Sequence, residues 1–212
     1  MSGVLGCGSV GGMQSMTPQV WPPSDHVGVD TFAGPAFPEA VLLRDGQNLL
    51  LRRHRPEDAD GIWEQCQDPE MARFTTIPVP YGRSDVDWFL NHVATGWAEG
   101  SLAAFAIEIA GRFAGTADLR LQAGRWAEVG FGLAPWARGR GLMTRALRLL
   151  LEWGFTELAL DGIQWRAVVG NEGSRRVALK CGFVIEGSVR GLLVHRGQRL
   201  DGWIGTLLAT DR

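Results

Sequence analysis

The stretch APWARGRGLMTRALRLLLEWGF, residues 134–155, sets Gly139 and Gly141 among Arg138, Arg140 and Arg145 at the entrance of a leucine-rich helix. The first amides of a helix have no internal acceptor, and the helix dipole adds partial positive charge there. Glycine lets a ligand come close to the backbone. Arginine adds donors whose geometry suits phosphate oxygens. RGRGLMT, residues 138–144, therefore has the make-up of a pyrophosphate cradle; the plain alternative is a solvated loop. It is not a GxxxxGK(S/T) phosphate loop. It is not a GxGxxG dinucleotide turn either, because Thr144 stands where the last glycine would fall.

Downstream of the cradle, Met143, Ala146, Leu147, Leu150, Gly154 and Leu158 recur at three- and four-residue steps, with Arg145, Arg148 and Glu152 on the other face. That period predicts a helix over 142–158 packed on a sheet. Upstream, AEVGFGLAP reads as a strand ended by Pro135, and LAAFAIEIAGRFAGTADLRL as two strands turning at Ala110-Gly111-Arg112. Order is expected to begin near Asn48, with a strand over 48–53. A helix follows Pro56, DPEMARF is read as a break, and a second helix covers 85–97 and closes at Gly100. IQWRAVV, FVIEGSVRGLLV and RLDGWIGTLLA read as later strands. NEGSRRVALKCGF reads as a short helix stopped by Gly182. Helices and strands are mixed rather than strictly alternating, so an α+β layer fold is expected.

Composition narrows the function. With 212 residues the chain holds one ordinary domain or two small ones. A formal charge of −2 gives no basic footprint for nucleic acid. Cys7, Cys66 and Cys181 are too few and too scattered for a disulfide framework, which suits a reduced cytoplasmic setting. The four histidines lack metal-site spacing, so no metal is expected. No apolar run is long enough to cross a membrane. Residues 1–38 are glycine-rich and read as a flexible leader, with Met16 an alternative start and Trp21 and Phe37 candidates to pack on the domain.

Two blocks carry a resemblance. In RGRGLM, Arg138, Gly139, Arg140 and Gly141 fit the R/Q-x-x-G-x-G/A signature of the GCN5-related N-acetyltransferases, while Met143 departs from its last place. About thirty residues on, NEGSRRVALKCGFVIEG resembles a segment of the ribosomal-protein N-acetyltransferase-like branch, with Asn171, Ser174, Ala178, Gly182, Phe183, Glu186 and Gly187 in register. The resemblance covers roughly 48–212. It implies a mixed, mostly antiparallel sheet, splayed in the middle and flanked by helices, with residues 39–212 as one domain. It implies acetyl-CoA in the splay, with no metal and no membrane, and an amine acceptor that is a protein N-terminus or a small molecule. Dimerisation is common in the branch, which leaves the oligomeric state open between monomer and homodimer.

It also assigns candidates. The backbone of Phe131, Gly132 and Leu133 should face the pantetheine arm. Arg138, Gly139, Arg140, Gly141, Leu142, Met143 and Thr144 should hold the pyrophosphate. Acetyl transfer needs a neutral amine and stabilisation of charge on the acyl oxygen. Glu128, on the strand leading to the cradle, is the candidate base, often acting through water in this family; otherwise it is a strand residue paired with an arginine. Many relatives use a tyrosine as acid, but Tyr81, the single tyrosine, lies far from the second block. Ser174 is the substitute, or else an ordinary helix-start hydroxyl. Asn171 would bond a pantetheine amide, or cap the same helix. Cys181 reads as a buried small residue, Arg175 and Arg176 as a solvated face, and Trp63, Trp88 and Trp97 as core rather than acceptor wall. The rival to an enzyme is a non-catalytic acyl-CoA sensor.

Overall fold

The computed structural model of the protein describes residues 37–212. The leader, with Trp21 and Met16, therefore lies outside the described residues, apart from its last two positions. Phe37 is buried, edge-on to Trp97 at 5.2 Å and to Trp153 at 6.0 Å between ring centroids.

Eight strands form one sheet: β1 (Leu42–Arg44), β2 (Leu49–Arg53), β3 (Leu102–Ile109), β4 (Arg112–Gln122), β5 (Trp126–Leu133), β6 (Gly162–Val168), β7 (Val184–His195) and β8 (Gln198–Leu208). Their order is β1-β2-β3-β4-β5-β6-β8-β7, and every pair is antiparallel except β5 with β6. The five α-helices are α1 (Ala59–Cys66), α2 (Pro69–Phe74), α3 (Arg83–Glu99), α4 (Leu142–Thr156) and α5 (Glu172–Lys180). This is the α+β fold expected, with a mixed, mostly antiparallel sheet.

The parallel pair is short. It starts at Trp126 opposite Gly162 and stops at Val129 opposite Trp165. Beyond it β5 stays with β4 as far as Gly115 opposite Leu133, while β6 continues with β8 to Val168 opposite Gly202. The sheet therefore opens between Gly130–Leu133 on one side and Arg166–Val168 on the other.

Strand alternation sorts the two faces. Ala117, Leu119, Ala127, Val129, Ile163 and Trp165 turn to α4, whose Leu147 and Leu150 are fully buried against them. Each such leucine contributes about 1.5–3 kcal/mol by leaving water. The opposite face carries α1 and α3 through Ile62, Tyr81, Val86, Ala106 and Phe113.

Two local expectations need correction. DPEMARF is not a break but the helix α2: Asp68 caps it by accepting from the Glu70 amide at 3.4 Å, and Pro69 occupies the first turn. An acid before a proline is a helix start. Order also begins earlier than Asn48. Asp45-Gly46 turns β1 into β2, with Gly46 at φ +75°, and Asp45 Oδ1 accepts from the Gln47 amide at 2.9 Å.

Candidate functional site

The opening leads into the cradle. After Leu133 a short 3-10 turn at Pro135–Ala137 directs the chain to Arg138. Gly139 and Gly141 then take φ of +74° and +73°, a region that glycine enters without the steric penalty of a Cβ. A Cβ at either position would meet nothing within 4 Å, so both border open space. Gly141 is the N-cap of α4 and supplies no side-chain acceptor. Among the described residues, the amides of Gly141, Leu142, Met143 and Thr144 hydrogen-bond to no protein group. Four unpaired donors at the start of a 15-residue helix have the make-up of an anion site.

The two arginines of the loop divide the work. The Arg138 Nε donates to the Leu133 carbonyl at 3.0 Å, and its Nη2 lies 2.5 Å from the Asp68 carboxylate. Its guanidinium thus ties the loop to the end of β5 and to α2. Arg140 is exposed and forms no ion pair among the described residues, so it is the one placed to reach an anion. Met143, the departure from the motif, sends its side chain into the core at 6% exposure and leaves the amide in the row.

Glu128 is buried on the α1 and α3 face of β5. Arg120 Nη2 donates to its Oε1 at 3.2 Å, and Arg166 Nη2 donates to its Oε2. Both oxygens are engaged, as in the paired reading of this residue. The pairing is one link of a longer row. Asp118, Arg120, Glu128 and Arg166 run across β4, β5 and β6 on one face. Asp118, Arg120 and Arg166 were not found by sequence reasoning. The signal was present: TADLRL places Asp118 and Arg120 on the alternate positions to Ala117, Leu119 and Leu121.

On the β6 side, Ser174 and Asn171 meet at the start of α5. The Asn171 Oδ1 accepts from the Ser174 amide at 3.1 Å, the capping role. Its Nδ2 has no acceptor among the described residues. The Ser174 Oγ accepts from the Trp165 indole Nε1 at 2.9 Å, so its own proton remains to be donated. Trp165 is the last β6 residue paired with β5.

The remaining candidates lie apart. Tyr81 is buried under α3, its hydroxyl donating to the Asp85 carbonyl at 3.3 Å, and burial pushes its pKa upward. Burial pushes the Cys181 thiol up to about 11, and its Sγ sits 3.7 Å from the Thr144 carbonyl, which makes it an unreactive packing residue. Arg175 lies over the Trp203 ring and 3.9 Å from Glu172. Trp97 is core at 4% exposure; Trp88 is 50% exposed and stacks on His92 at 4.8 Å.

The chain has relatives among known proteins. The family model described as an acetyltransferase (GNAT) domain matches residues 48–184. The Bacillus subtilis (strain 168) protein named "Putative ribosomal N-acetyltransferase YdaF" is 28% identical over 161 residues, 73% of this chain and 88% of that protein. A crystal structure described as a probable acetyltransferase is 26% identical, with a TM-score of 0.71, and covers 81% of this chain and 99% of its own. Mycobacterium smegmatis RimJ in complex with CoA-disulfide has the same fold, with 23% identity, a TM-score of 0.72, and coverage of 81% and 88%. No helix among the described residues is long and apolar enough to cross a membrane.

Proposed function

Because the chain belongs to the GNAT acetyltransferase family, we propose that it transfers acetyl from acetyl-CoA directly to a primary amine in a ternary complex. The acceptor we favour is a protein N-terminus, in line with the ribosomal name of the relative YdaF. The observation that carries the reading is the row of unpaired amides at Gly141–Thr144 beside the opening between β5 and β6. The residues fit the group: Gly139 and Gly141 leave open space, Arg140 supplies a cation with no ion pair among the described residues, and Gly130–Leu133 present a strand edge that β6 has left.

When bound, the coenzyme supplies an acyl group activated as a thioester. The chain does the rest. The amides of 141–144 and Arg140 hold the pyrophosphate. The backbone of Phe131, Gly132 and Leu133 aligns the arm, and Asn171 Nδ2 bonds one of its carbonyls. Glu128 fixes Arg120 and Arg166 on the acceptor face. Ser174, its lone pair taken by Trp165, gives a proton to the departing sulfur.

Calorimetry with coenzyme A, then steady-state thiol release from acetyl-CoA with N-terminal peptides and small amines, tests this. Micromolar binding and amine-stimulated release are expected. Binding without any amine-stimulated release would favour the acyl-CoA sensor instead. Arg140→Ala should weaken coenzyme A roughly tenfold, the loss expected for one charge-assisted hydrogen bond, and the deficit should shrink as salt rises. Trp165→Phe should lower kcat several-fold with little change in coenzyme A affinity, because it frees the Ser174 oxygen while keeping most of the packing. An unchanged kcat would remove Ser174 from the chemistry.

A further inference from the structure

Glu128 is not the emptiest carboxylate beside the opening. Asp118, on β4 and facing Gly130 of β5, accepts no hydrogen bond from any described residue. Its Oδ1 is buried without a hydrogen-bond partner; Arg120 Nη1, 3.3 Å away, pairs with it in charge but does not donate to it. A buried polar atom without a partner is rare in a folded protein and calls for an explanation.

Position supplies one. Gly130 is the first β5 residue beyond the last pair with β6. A Cβ there would stand 2.8 Å from Asp118 Oδ2, 3.0 Å from Oδ1 and 2.8 Å from Arg120 Nη2. The carboxylate therefore lies over bare β5 backbone, at the start of the edge proposed to line the acyl group. It does so on the face of α1 and α2, where Gly132 likewise faces Gln65 and Met71. The opposite face is filled by α4.

We propose that Asp118 is the general base that takes the proton of the acceptor amine, with Arg120 and Glu128 as positioning residues that hold it over Gly130. This rests on the acetyltransferase reading above. The ammonium gives one proton to Asp118. The freed nitrogen lone pair forms the C–N bond as the C–S bond breaks. The second proton passes to Ser174 as Ser174 gives its own to the departing sulfur, and Asp118 returns its proton to solvent. Burial raises the Asp118 carboxyl pKa above its ordinary value; Glu128 raises it further, while Arg120 and His92 of α3 pull it down. A base raised in this way operates nearer neutral pH than a free aspartate.

The test compares Asp118→Asn with Glu128→Gln in the full chain. Asp118→Asn is expected to lower kcat about 10²–10⁴-fold at pH 7, the span of general base catalysis. The deficit should shrink toward pH 10, as solvent comes to deprotonate the amine. Coenzyme A affinity should not change, and the melting temperature at pH 7 should be no lower than wild type, because the amide removes a buried charge. Glu128→Gln should lower kcat by a factor that does not vary with pH. Gly130→Ala, which pushes the carboxylate aside without removing it, should copy Asp118→Asn in its pH dependence.

A wild-type kcat in Asp118→Asn would overturn the proposal while leaving the acetyltransferase reading intact. So would a pH-independent loss together with a lowered melting temperature, which would make Asp118 structural. A wild-type protein that binds coenzyme A but acetylates no amine would remove both.

Discussion

Gly115→Ala is expected to lower the melting temperature by about 6–20 °C and to abolish coenzyme A binding in whatever folded fraction remains. Gly115 sits on β4 opposite Leu133, at φ +155°. A Cβ there would lie 2.2 Å from the Gly132 carbonyl oxygen and 2.9 Å from the Leu133 Cα. Both are backbone atoms of the neighbouring strand, so no rotamer change relieves the contact. Overpacking and backbone strain together cost about 3–5 kcal/mol. In a domain of this size each kcal/mol moves the melting temperature by about 2–4 °C. The functional loss follows from what the displaced segment holds. Leu133 carries the carbonyl that anchors Arg138, and Arg138 sets the loop before α4. Differential scanning calorimetry gives the first number and titration with coenzyme A the second. Gly111→Ala is the control. Its φ is also positive, at +80°, but its Cβ would meet nothing within 4 Å, so the cost should be only about 1–2 kcal/mol. A Gly115→Ala melt within 3 °C of wild type would mean that β4 and β5 do not approach as described.

The Gly115 contact shows where a sequence stops being readable. Elements with a strong local pattern were legible: the apolar steps of α4, the turn at Gly111 and the glycine after α5 all announce themselves within a few residues. The loop at 138–144 was legible too, because the groups proposed to hold the pyrophosphate are the backbone amides of one continuous segment. Glu128 was legible as a position but not in its surroundings. Its partner Arg166 is 38 residues away and arrives through the parallel β5·β6 pair. The anchor of Arg138 comes from Asp68, the cap of a helix whose sequence DPEMARF reads as a break. Asp118 lies on the strand before Glu128 and becomes visible as a candidate only when register sets it against Gly130. Single loops can be read from sequence spacing. A charge row spanning three strands requires the sheet order, which local periodicity does not contain.

Asp58→Asn is expected to cost about 3–5 kcal/mol at pH 7, the loss typical of breaking a buried ion pair by removing one partner. Arg52 on β2 grips Asp58 with two bonds, Nη1 to Oδ2 at 2.8 Å and Nη2 to Oδ1 at 2.7 Å. Its Nε reaches Glu108 on β3 at 2.7 Å, and Asp58 also accepts from the Arg55 amide at 3.0 Å. Both members of the pair are buried, at 8% and 3% side-chain exposure. The pair fixes the start of α1, which with α2 covers the face proposed for the acceptor, so an acceptor KM should rise along with the loss of stability.

The pH dependence separates this from a packing defect. Burial pushes the Asp58 carboxyl upward, but the Arg52 donors and the Arg55 amide outweigh it, and the net shift is downward. A carboxyl with a depressed folded pKa stabilises the fold above its unfolded value, about 3.9. That contribution disappears as pH falls through the folded value, so the gap between wild type and Asp58→Asn should be full at pH 5–8 and close below about 4. His54 titrates beside the pair, and the Asp58 charge raises its pKa against burial. Burial lowers its pKa to about 4, so it costs both proteins stability as pH falls from about 6.5 toward that value. Melting curves from pH 3 to 8 should therefore show a shared decline between 6.5 and 4, and convergence only beneath it. A gap that stays constant to pH 3 would show that the variant loses packing rather than charge.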